Sequence, residues 1–294
     1  MRFPHLAQRL FNVPLAIHPR KAEIVMAALS ERLGVTHLFR PDGTAVDMSP
    51  QMFFDKDDAD SAVSENIRGY ETLEGAAIIQ IEGTLVNKLG TLHPYSGMTG
   101  YDGIRQNFLT ALADPAVKSI VLDIDSPGGE VAGCFDLVDT IYNARGEKPI
   151  WAILNENAFS AAYAIASAAD HITVPRTGGV GSIGVITMHV DWSKALAGAG
   201  IKVTFITFGD RKADGHPEIP LSEEAKESIQ QDIDAMGELF VATVARNRGL
   251  SAQDVRDQQA RCFTGADGVA AGLADEISAP DAAFRQLLDE ADQL

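Results

Sequence analysis

Short runs of apolar residues recur along the chain after residue 75, and stretches with helical periodicity separate them. The runs at 117–124 and 150–154 are almost continuously apolar. A strand with one face in solvent alternates apolar and polar residues, whereas a strand covered on both faces does not. Parallel strands joined through helices are covered in this way. The pattern therefore predicts an α/β layer fold with right-handed β-α-β connections.

The same periodicities predict the other elements of this fold. Further strands are expected at 76–81, 172–174, 185–190 and 203–207. Helices are expected at 101–112, 130–144, 160–169 and 221–248, and Gly249 closes the last of them. Ser251 is expected to cap one more helix.

Residues 1–72 have a different pattern from residues 73–294. A helical pattern runs from residue 21 to residue 33 and ends at Gly34, and the polar stretch 48–66 is rich in Asp and Ser. Such a polar stretch is typical of a linker. We therefore expect a smaller N-terminal segment, residues 1–72, followed by a main domain, residues 73–294.

Charge and composition exclude several functions. The 294 residues carry a net charge of −17, so no basic surplus is available to neutralise the phosphates of a nucleic acid. No run reaches the roughly 18 apolar residues of a membrane helix, and the N-terminus lacks a secretory signal. Cys134 and Cys262 lack metal-ligand spacing, and no phosphate-binding loop is present. We expect a cytoplasmic protein with no cofactor, no metal and no membrane anchor.

Ser160 is the first candidate for chemistry. It follows a predicted strand and opens an alanine-rich helix, where the helix dipole favours negative charge. The N–H of Ala161 is well placed to donate to an oxyanion. A serine that only caps the helix is the commoner reading of such a position.

A Ser-Pro-Gly-Gly segment ending at Gly129 lies upstream of Ser160. Here a predicted strand ends, two glycines turn, and a helix begins. The glycines permit positive φ angles and expose N–H groups near the helix N-terminus. The N–H of Gly128 or Gly129 is therefore a candidate oxyanion donor, and a plain strand–helix turn is the alternative.

Activation of a serine requires a base that takes the hydroxyl proton. Lys212 follows a predicted strand, and Ser182 precedes it in a glycine-dense segment where its hydroxyl could hold the lysine amine. A loop lysine is more often a solvated surface charge. The competing mechanism is a Ser-His-Asp triad, with His171 or His189 as base and Asp191 or Asp214 as its partner.

Four ordered features together resemble the signal peptide peptidase A family of serine–lysine peptidases, serine peptidase family S49. These are the segments 125–129, 159–163 and 181–184 and the position of Lys212. The resemblance covers about residues 75–280 and implies a ClpP/crotonase-like fold of repeated β-β-α units. It implies a Ser160 nucleophile, a Lys212 general base and a Ser182 that orients the lysine. It also implies an oxyanion hole at Gly128, Gly129 and Ala161, although many members have Ser-Gly-Gly where this chain has Ser-Ala-Ala.

A narrower resemblance, to the phage and prophage branch, rests on residues 12–23, 98–102 and 174–181. Members of that branch are head maturation (capsid assembly) proteases. The resemblance implies cleavage of scaffold or other head proteins, a ring-like homo-oligomer, and action in the bacterial cytoplasm or within the prohead.

Three other functions remain open on the sequence. One is a soluble bacterial signal-peptide-peptidase-like protease, and another is an acyl-CoA enzyme of the crotonase type, which uses the same fold without a covalent serine. The third is a non-catalytic capsid assembly component. Covalent labelling of Ser160 would argue against the second, and inactivity toward peptides and scaffold protein with stable binding to a portal or shell protein would favour the third.

Overall fold

The structure, a computed structural model, describes residues 13–19, 21 and 69–291, and within them ten strands form one mixed sheet. The strands are β1 (Leu15–Ile17), β2 (Glu71–Leu73), β3 (Ala76–Val86), β4 (Met98–Gly100), β5 (Ser119–Glu130), β6 (Ile150–Phe159), β7 (His171–Val174), β8 (Gly179–Gly181), β9 (Cys262–Thr264) and β10 (Glu276–Ile277). The helices are α1 (Tyr101–Ala113), α2 (Cys134–Asn143), α3 (Ala161–Ser167), α4 (Ser193–Gly198), α5 (Glu223–Arg248), α6 (Ala252–Asp257), α7 (Gly265–Ala270) and α8 (Pro280–Ala291). The predicted α/β class is confirmed.

The sheet is parallel at its centre. Its order is β10-β7-β6-β5-β3-β2, and only β2 runs antiparallel to its neighbour in this series. The predicted strands at 117–124 and 150–154 are present, but β5 and β6 continue several residues further than their apolar runs. Polar and glycine residues at their ends belong to strands because further short strands pair with them.

Two bulges bend the sheet toward its carboxyl end. The register shifts between Glu82 and Thr84 of β3, and again between Ile124 and Ser126 of β5. Beyond these points the long strands acquire new partners: β4 joins β3, β1 joins β5, β8 joins β6, and β9 joins β8. A bulge twists and re-aims the strand that carries it. The bent end of the sheet is where the predicted functional residues lie.

Apolar side chains cover both faces of the central strands. On one face, Leu122 and Leu154 belong to the large core cluster together with buried residues of α1, α2, α3 and α5. On the other face, Val121 and Trp151 pack against Leu287 of α8. Full burial of each large apolar side chain stabilises the fold by about 1.5–3 kcal/mol. This double cover explains the nearly continuous apolar runs in the sequence.

The long helix α5 ends at Arg248 as expected, and it begins at Glu223, two residues after the predicted start at 221. Ser222 accepts a hydrogen bond from the Ala225 N–H at 3.1 Å, and Gly249 ends the helix at φ +65°. Ser251 caps α6 by accepting from the Asp254 N–H, as predicted. Sequence signals for helix ends are therefore followed closely in this part of the chain.

Two predicted strands are wrong. Residues 185–190 form no strand, and only Ile186 pairs, through an isolated bridge to Leu15. Residues 203–207 form no strand; Ile206 within them is 96% exposed, and Phe208 directly after them is 102% exposed. A strand exists only where another strand satisfies its backbone groups, and no described residue does this for 203–207. Phe205 contacts the His216 ring, while Ile206 and Phe208 are left without cover in the single chain.

Parts of the N-terminal segment lie outside the described residues, among them residues 22–33 of the predicted helix and the linker at 48–66. The division at residues 72 and 73 stays a prediction. β1 nevertheless joins the sheet of the main domain. Among the described helices, none is both long and apolar enough to cross a membrane.

Candidate active site

Ser160 lies between the end of β6 and the start of α3, and its backbone is strained. Its φ is +55° and its ψ is −121°, and its side chain makes no capping hydrogen bond. A serine that only caps a helix adopts an extended conformation and accepts from an N–H of the first turn. Non-glycine residues in such conformations store about 1–3 kcal/mol and concentrate at functional sites. The capping alternative is therefore not supported.

Backbone hydrogen bonds on both sides hold Ser160 in this conformation. Its N–H donates to the Gly181 carbonyl at 2.8 Å, and its carbonyl accepts from the Ala164 N–H at 2.9 Å. The residue is 1% exposed, and its hydroxyl donates one long bond, 3.4 Å, to the Gly184 carbonyl. The hydroxyl is thus positioned by the backbone while its own hydrogen bonding is weak.

The glycine pair lies in a strand, where a strand-to-helix turn was expected. Residues 126–130 continue β5, and α2 begins only at Cys134. Gly128 has a φ of +96°, and a Cβ built on it would lie 2.9 Å from the Phe159 carbonyl oxygen and 3.0 Å from the Ala161 nitrogen. This corrects the expected turn. The close approach to Ala161 arises from the pairing of β5 with β6.

Ser126 fixes the shape of this segment and was not identified as functional from the sequence. Its buried hydroxyl accepts a hydrogen bond from the Gly128 N–H at 3.1 Å and donates to the Gly83 carbonyl at 2.6 Å. The Gly128 N–H is therefore already engaged. Of the two glycines, Gly129 is the better oxyanion donor. The position of Ser126 directly before Pro-Gly-Gly was the available signal.

The glycine-dense loop lies beside Ser160 as expected. β8 pairs with β6 so that Gly181 is opposite Phe159. Ser182 follows at φ +54° with 5% exposure, and its N–H donates to the Arg261 carbonyl at 3.0 Å. The structure thus brings Ser182 to the same end of the sheet as Ser160, Gly129 and Ala161.

Lys212 is not joined to Ser160 in the single chain. It lies in an exposed loop, where its backbone N–H donates to Gly209 at 3.2 Å, and no hydrogen bond or ion pair to a described residue is found for its amine. The neighbouring Arg211 pairs with Asp214 at 2.6 Å. The dyad remains a prediction.

Neither candidate histidine is hydrogen-bonded to Ser160. His171 stacks on Trp151, 4.2 Å between ring centroids, at the opposite end of β6. His189 lines a separate cleft of about 480 Å³ with Asp214, and its ring nitrogens have no partner among the described residues. Hydrogen bonds from Ser193, with a smaller contribution from the charge of His189, lower the pKa of Asp191, but neither Asp191 nor His189 is hydrogen-bonded to Ser160. The geometry does not assemble a triad.

Comparison with known proteins gives a consistent set of relatives. The family model described as peptidase family S49 matches residues 143–294. Head-tail preconnector protein GP5 of Enterobacteria phage P21 is 41% identical over 279 residues, which is 95% of this chain and 56% of that protein. Capsid assembly protease C of Escherichia phage lambda is 38% identical over 275 residues, which is 93% of this chain and 63% of that protein. The chain therefore spans less than two thirds of the length of these relatives.

Among solved structures, a ClpP1 mutant from Listeria monocytogenes aligns with a TM-score of 0.42 and 14% sequence identity. The alignment covers 68% of this chain and 90% of that one.

Proposed function

Because this chain belongs to peptidase family S49, we propose that it is a serine endopeptidase whose nucleophile is Ser160. The observation that carries the proposal is the conformation of Ser160. The residue is buried, strained at φ +55° and not used as a helix cap. Its hydroxyl lies at the N-terminus of α3, where the Ala161 N–H is close to the glycines of β5. That combination suits attack on a carbonyl and stabilisation of the resulting oxyanion.

The proposed reaction proceeds through an acyl-enzyme. The neutral amine of Lys212 takes the Ser160 proton while the hydroxyl oxygen attacks the scissile carbonyl. The N–H groups of Gly129 and Ala161 donate to the oxyanion that forms, and Ser182 holds the lysine amine. Lys212 then gives its proton to the leaving amine as the peptide C–N bond breaks. Water hydrolyses the remaining ester and regenerates the serine.

This mechanism requires Lys212 to approach Ser160, and the single chain leaves the lysine in an exposed loop. The apolar run just before that loop supports an explanation. Ile206 and Phe208 are fully exposed, and large uncovered apolar side chains mark interaction surfaces. We expect a second copy of the chain to cover this run in a ring-like homo-oligomer and to order the Lys212 loop, so that the dyad forms within one chain or across the interface.

The substrates we propose are phage head proteins. The relatives with 41% and 38% identity are named a head-tail preconnector and a capsid assembly protease. A protease with these relatives would act on scaffold or other head proteins in the bacterial cytoplasm or within the prohead. No feature of the site favours an acyl-CoA enzyme or a non-catalytic capsid component.

The direct test replaces each member of the proposed dyad. Ser160→Ala and Lys212→Ala should each lower the hydrolysis of neighbouring head-gene products at least about 1,000-fold, because each removes an essential step. Circular dichroism and thermal unfolding should show intact folds. Lys194→Ala removes another exposed lysine, which lies outside the apolar run before Lys212, and serves as the matched control, with unchanged hydrolysis.

Two further results would decide against parts of the proposal. A fluorophosphonate probe that fails to label Ser160 in an enzyme that still hydrolyses peptides would exclude the serine mechanism. Loss of hydrolysis in His189→Ala with full activity in Lys212→Ala would replace the dyad by a triad. Mixing the two inactive dyad variants tests the interface, because subunit exchange restores activity only if serine and lysine come from different copies.

A further inference from the structure

The N-terminal residues 13–18 lie at the candidate active site as an extended strand. β1 runs antiparallel to the end of β5, with Ala16 opposite Gly129. Two residues after Ala16, the His18 N–H donates to the Pro127 carbonyl at 2.8 Å. Two residues before Ala16, the Pro14 carbonyl accepts a hydrogen bond at 3.4 Å from the N–H of Val131, the residue that follows β5. The segment is therefore paired with the strand that carries the proposed oxyanion donor.

The other edge of the same segment is also paired. The Leu15 N–H donates to the Ile186 carbonyl at 2.8 Å, and the Ile186 N–H donates back to the Leu15 carbonyl at 2.9 Å. The Thr187 hydroxyl donates to the Val13 carbonyl at 3.2 Å. Residues 13–18 thus lie between β5 and the chain that follows Ser182, with hydrogen bonds to both.

The carbonyl of Ala16 lies where the oxyanion would form. In an antiparallel pair, hydrogen-bonded residue pairs alternate with unbonded ones, so the bonds at positions 14 and 18 make Ala16 and Gly129 a bonded pair. The Gly129 N–H then points at the Ala16 carbonyl. A Cβ built on Gly128 would lie 2.3 Å from that carbonyl oxygen and 3.0 Å from the Ala161 nitrogen. Both proposed donors therefore border the space that the Ala16 carbonyl enters.

The side chains of the segment fit the site closely. Ala16 is 1% exposed and belongs to the main core cluster, which also contains Ala161. Leu15 and Ile17 point to the other side of the strand from Ala16 and pack with Ile186 in a separate apolar cluster. The space around Ala16 accepts a small side chain, and apolar groups fill the positions on either side.

Peptides commonly bind proteins by adding an extended strand, with main-chain hydrogen bonds on the edge and pockets for alternate side chains. We infer that residues 13–18 occupy the substrate cleft of this protease and compete with external peptides, with Ala16 at the position of the residue whose carbonyl is attacked. This inference rests on the proposed peptidase function. It assigns the cleft a preference for extended peptides with a small residue at that position, and it requires residues 13–18 to leave before substrate enters.

A reversible disulfide bond that holds residues 13–18 in place tests the inference on the full chain. Leu15→Cys combined with Ile186→Cys places two thiols on directly opposed residues, a spacing that suits a disulfide. The oxidised protein should hydrolyse a fluorogenic peptide at least about tenfold more slowly than the reduced protein, because the segment can no longer leave the cleft. Each single cysteine variant is the control and should show no such redox difference. Equal rates in the oxidised and reduced double variant would overturn the inference.

A binding measurement keeps the inference separate from the peptidase assignment. In the Ser160→Ala background, a dye-labelled peptide with the sequence of residues 13–19 is followed by fluorescence anisotropy. Ala16→Arg, which cannot fit a 1% exposed site, should free the cleft and tighten peptide binding at least about tenfold. Pro19→Ala, at an exposed position, should leave the affinity unchanged.

The outcomes of the two experiments are distinguishable. If Ala16→Arg does not change peptide affinity, the inference is overturned even when hydrolysis is normal. If the affinity difference is present but no peptide is hydrolysed, the occupied cleft stands and the peptidase assignment fails. Cleavage between Ala16 and Ile17 that disappears in Ser160→Ala would also support occupancy of the cleft.

Discussion

At the scale of single residues, the candidate site is marked by unusual backbone angles. Ser160 and Ser182 both have positive φ, at +55° and +54°, although neither is a glycine. Gly128, which lies close to the Ala161 nitrogen, has a φ of +96°. Such conformations persist only when the surrounding structure fixes them. Here the contacts are the hydrogen bonds of Ser160 to Gly181 and Ala164, of Ser182 to Arg261, and of the Gly128 N–H to the Ser126 hydroxyl, which supports a site set by the backbone around it.

Gly128→Ala tests this backbone requirement. The substitution adds a methyl group at a positive φ, and that group would lie 2.9 Å from the Phe159 carbonyl oxygen, directly before Ser160. We expect a loss of about 2 kcal/mol or more in the free energy of unfolding and a fall in hydrolysis of about 100-fold. Urea unfolding and peptide hydrolysis measure the two effects.

Gly146→Ala is the matched control, because Gly146 has a φ of +86° but no atom within 4 Å of an added Cβ. It should lower the free energy of unfolding by about 1 kcal/mol through backbone strain and leave hydrolysis unchanged. Equal activity losses in the two variants would mean that the geometry at Gly128 has no special role.

At the scale of elements, the first half of β5 is apolar and covered by α8, whereas its second half carries polar residues on the same face. Val121 lies beneath α8, while Asp123 and Asp125 on the same face lie beyond that helix. Burial, together with the charges of Glu82 and Asp125, raises the pKa of Asp123 to about 6. The elevated pKa means that the ionised form of Asp123 destabilises the strand arrangement at neutral pH.

The pH dependence of stability follows from that shift. An acid whose pKa is higher in the folded state than its unfolded value of about 3.9 binds protons more tightly when folded. Its favourable contribution is complete below about pH 4 and is lost as pH rises through about 6. Asp123→Asn should therefore raise the free energy of unfolding at pH 8, by up to about 2 kcal/mol after allowance for solvent screening.

The advantage of Asp123→Asn should shrink as the pH falls to 4, which urea unfolding at several pH values would measure. Asp232→Asn, which neutralises an exposed carboxylate on α5, is the control and should show little change. A stabilisation that is equally large at pH 8 and at pH 4 would contradict the assignment of the effect to the ionisation of Asp123.

At the scale of the whole molecule, the apolar run at 201–208 is the feature that the single chain does not use. Ile201 is 54% exposed, and Ile206 and Phe208 are almost completely exposed. The run leads directly to the loop of Lys212, the residue that the proposed mechanism needs beside Ser160. The exposed apolar run therefore lies next to the lysine that does not yet contact Ser160. This arrangement is expected if contact with a second copy of the chain brings Lys212 to the active site.

Phe208→Asp tests this connection between assembly and activity. A charge in an apolar interface should shift the protein toward the monomer in analytical ultracentrifugation and lower peptide hydrolysis in parallel. Leu109→Asp, at a 40% exposed position on α1, is the matched control and should change neither property. A fully active monomer of Phe208→Asp would show that Lys212 reaches its working position without a second copy.

Much of the architecture follows from local sequence patterns. The apolar runs predicted the central strands, and the helix-end signals at Gly249 and Ser251 were followed closely. The strand predictions at 185–190 and 203–207 failed because β-type periodicity describes side-chain preference and not the presence of a partner strand. The same limitation applies to the glycine pair, which was expected in a turn and lies in β5.

The sequence by itself determined the α/β class, the candidate serine and the segments that accompany it, because these depend on residue types and spacing within short stretches. Only the tertiary structure decided that Ser160 is strained, that Ser126 engages the Gly128 N–H, and that β1 lies between β5 and Ile186. Those facts depend on hydrogen bonds between segments far apart in the chain. Local periodicity carries no information about which distant backbone groups will pair, so the occupied cleft could be recognised only in the folded molecule.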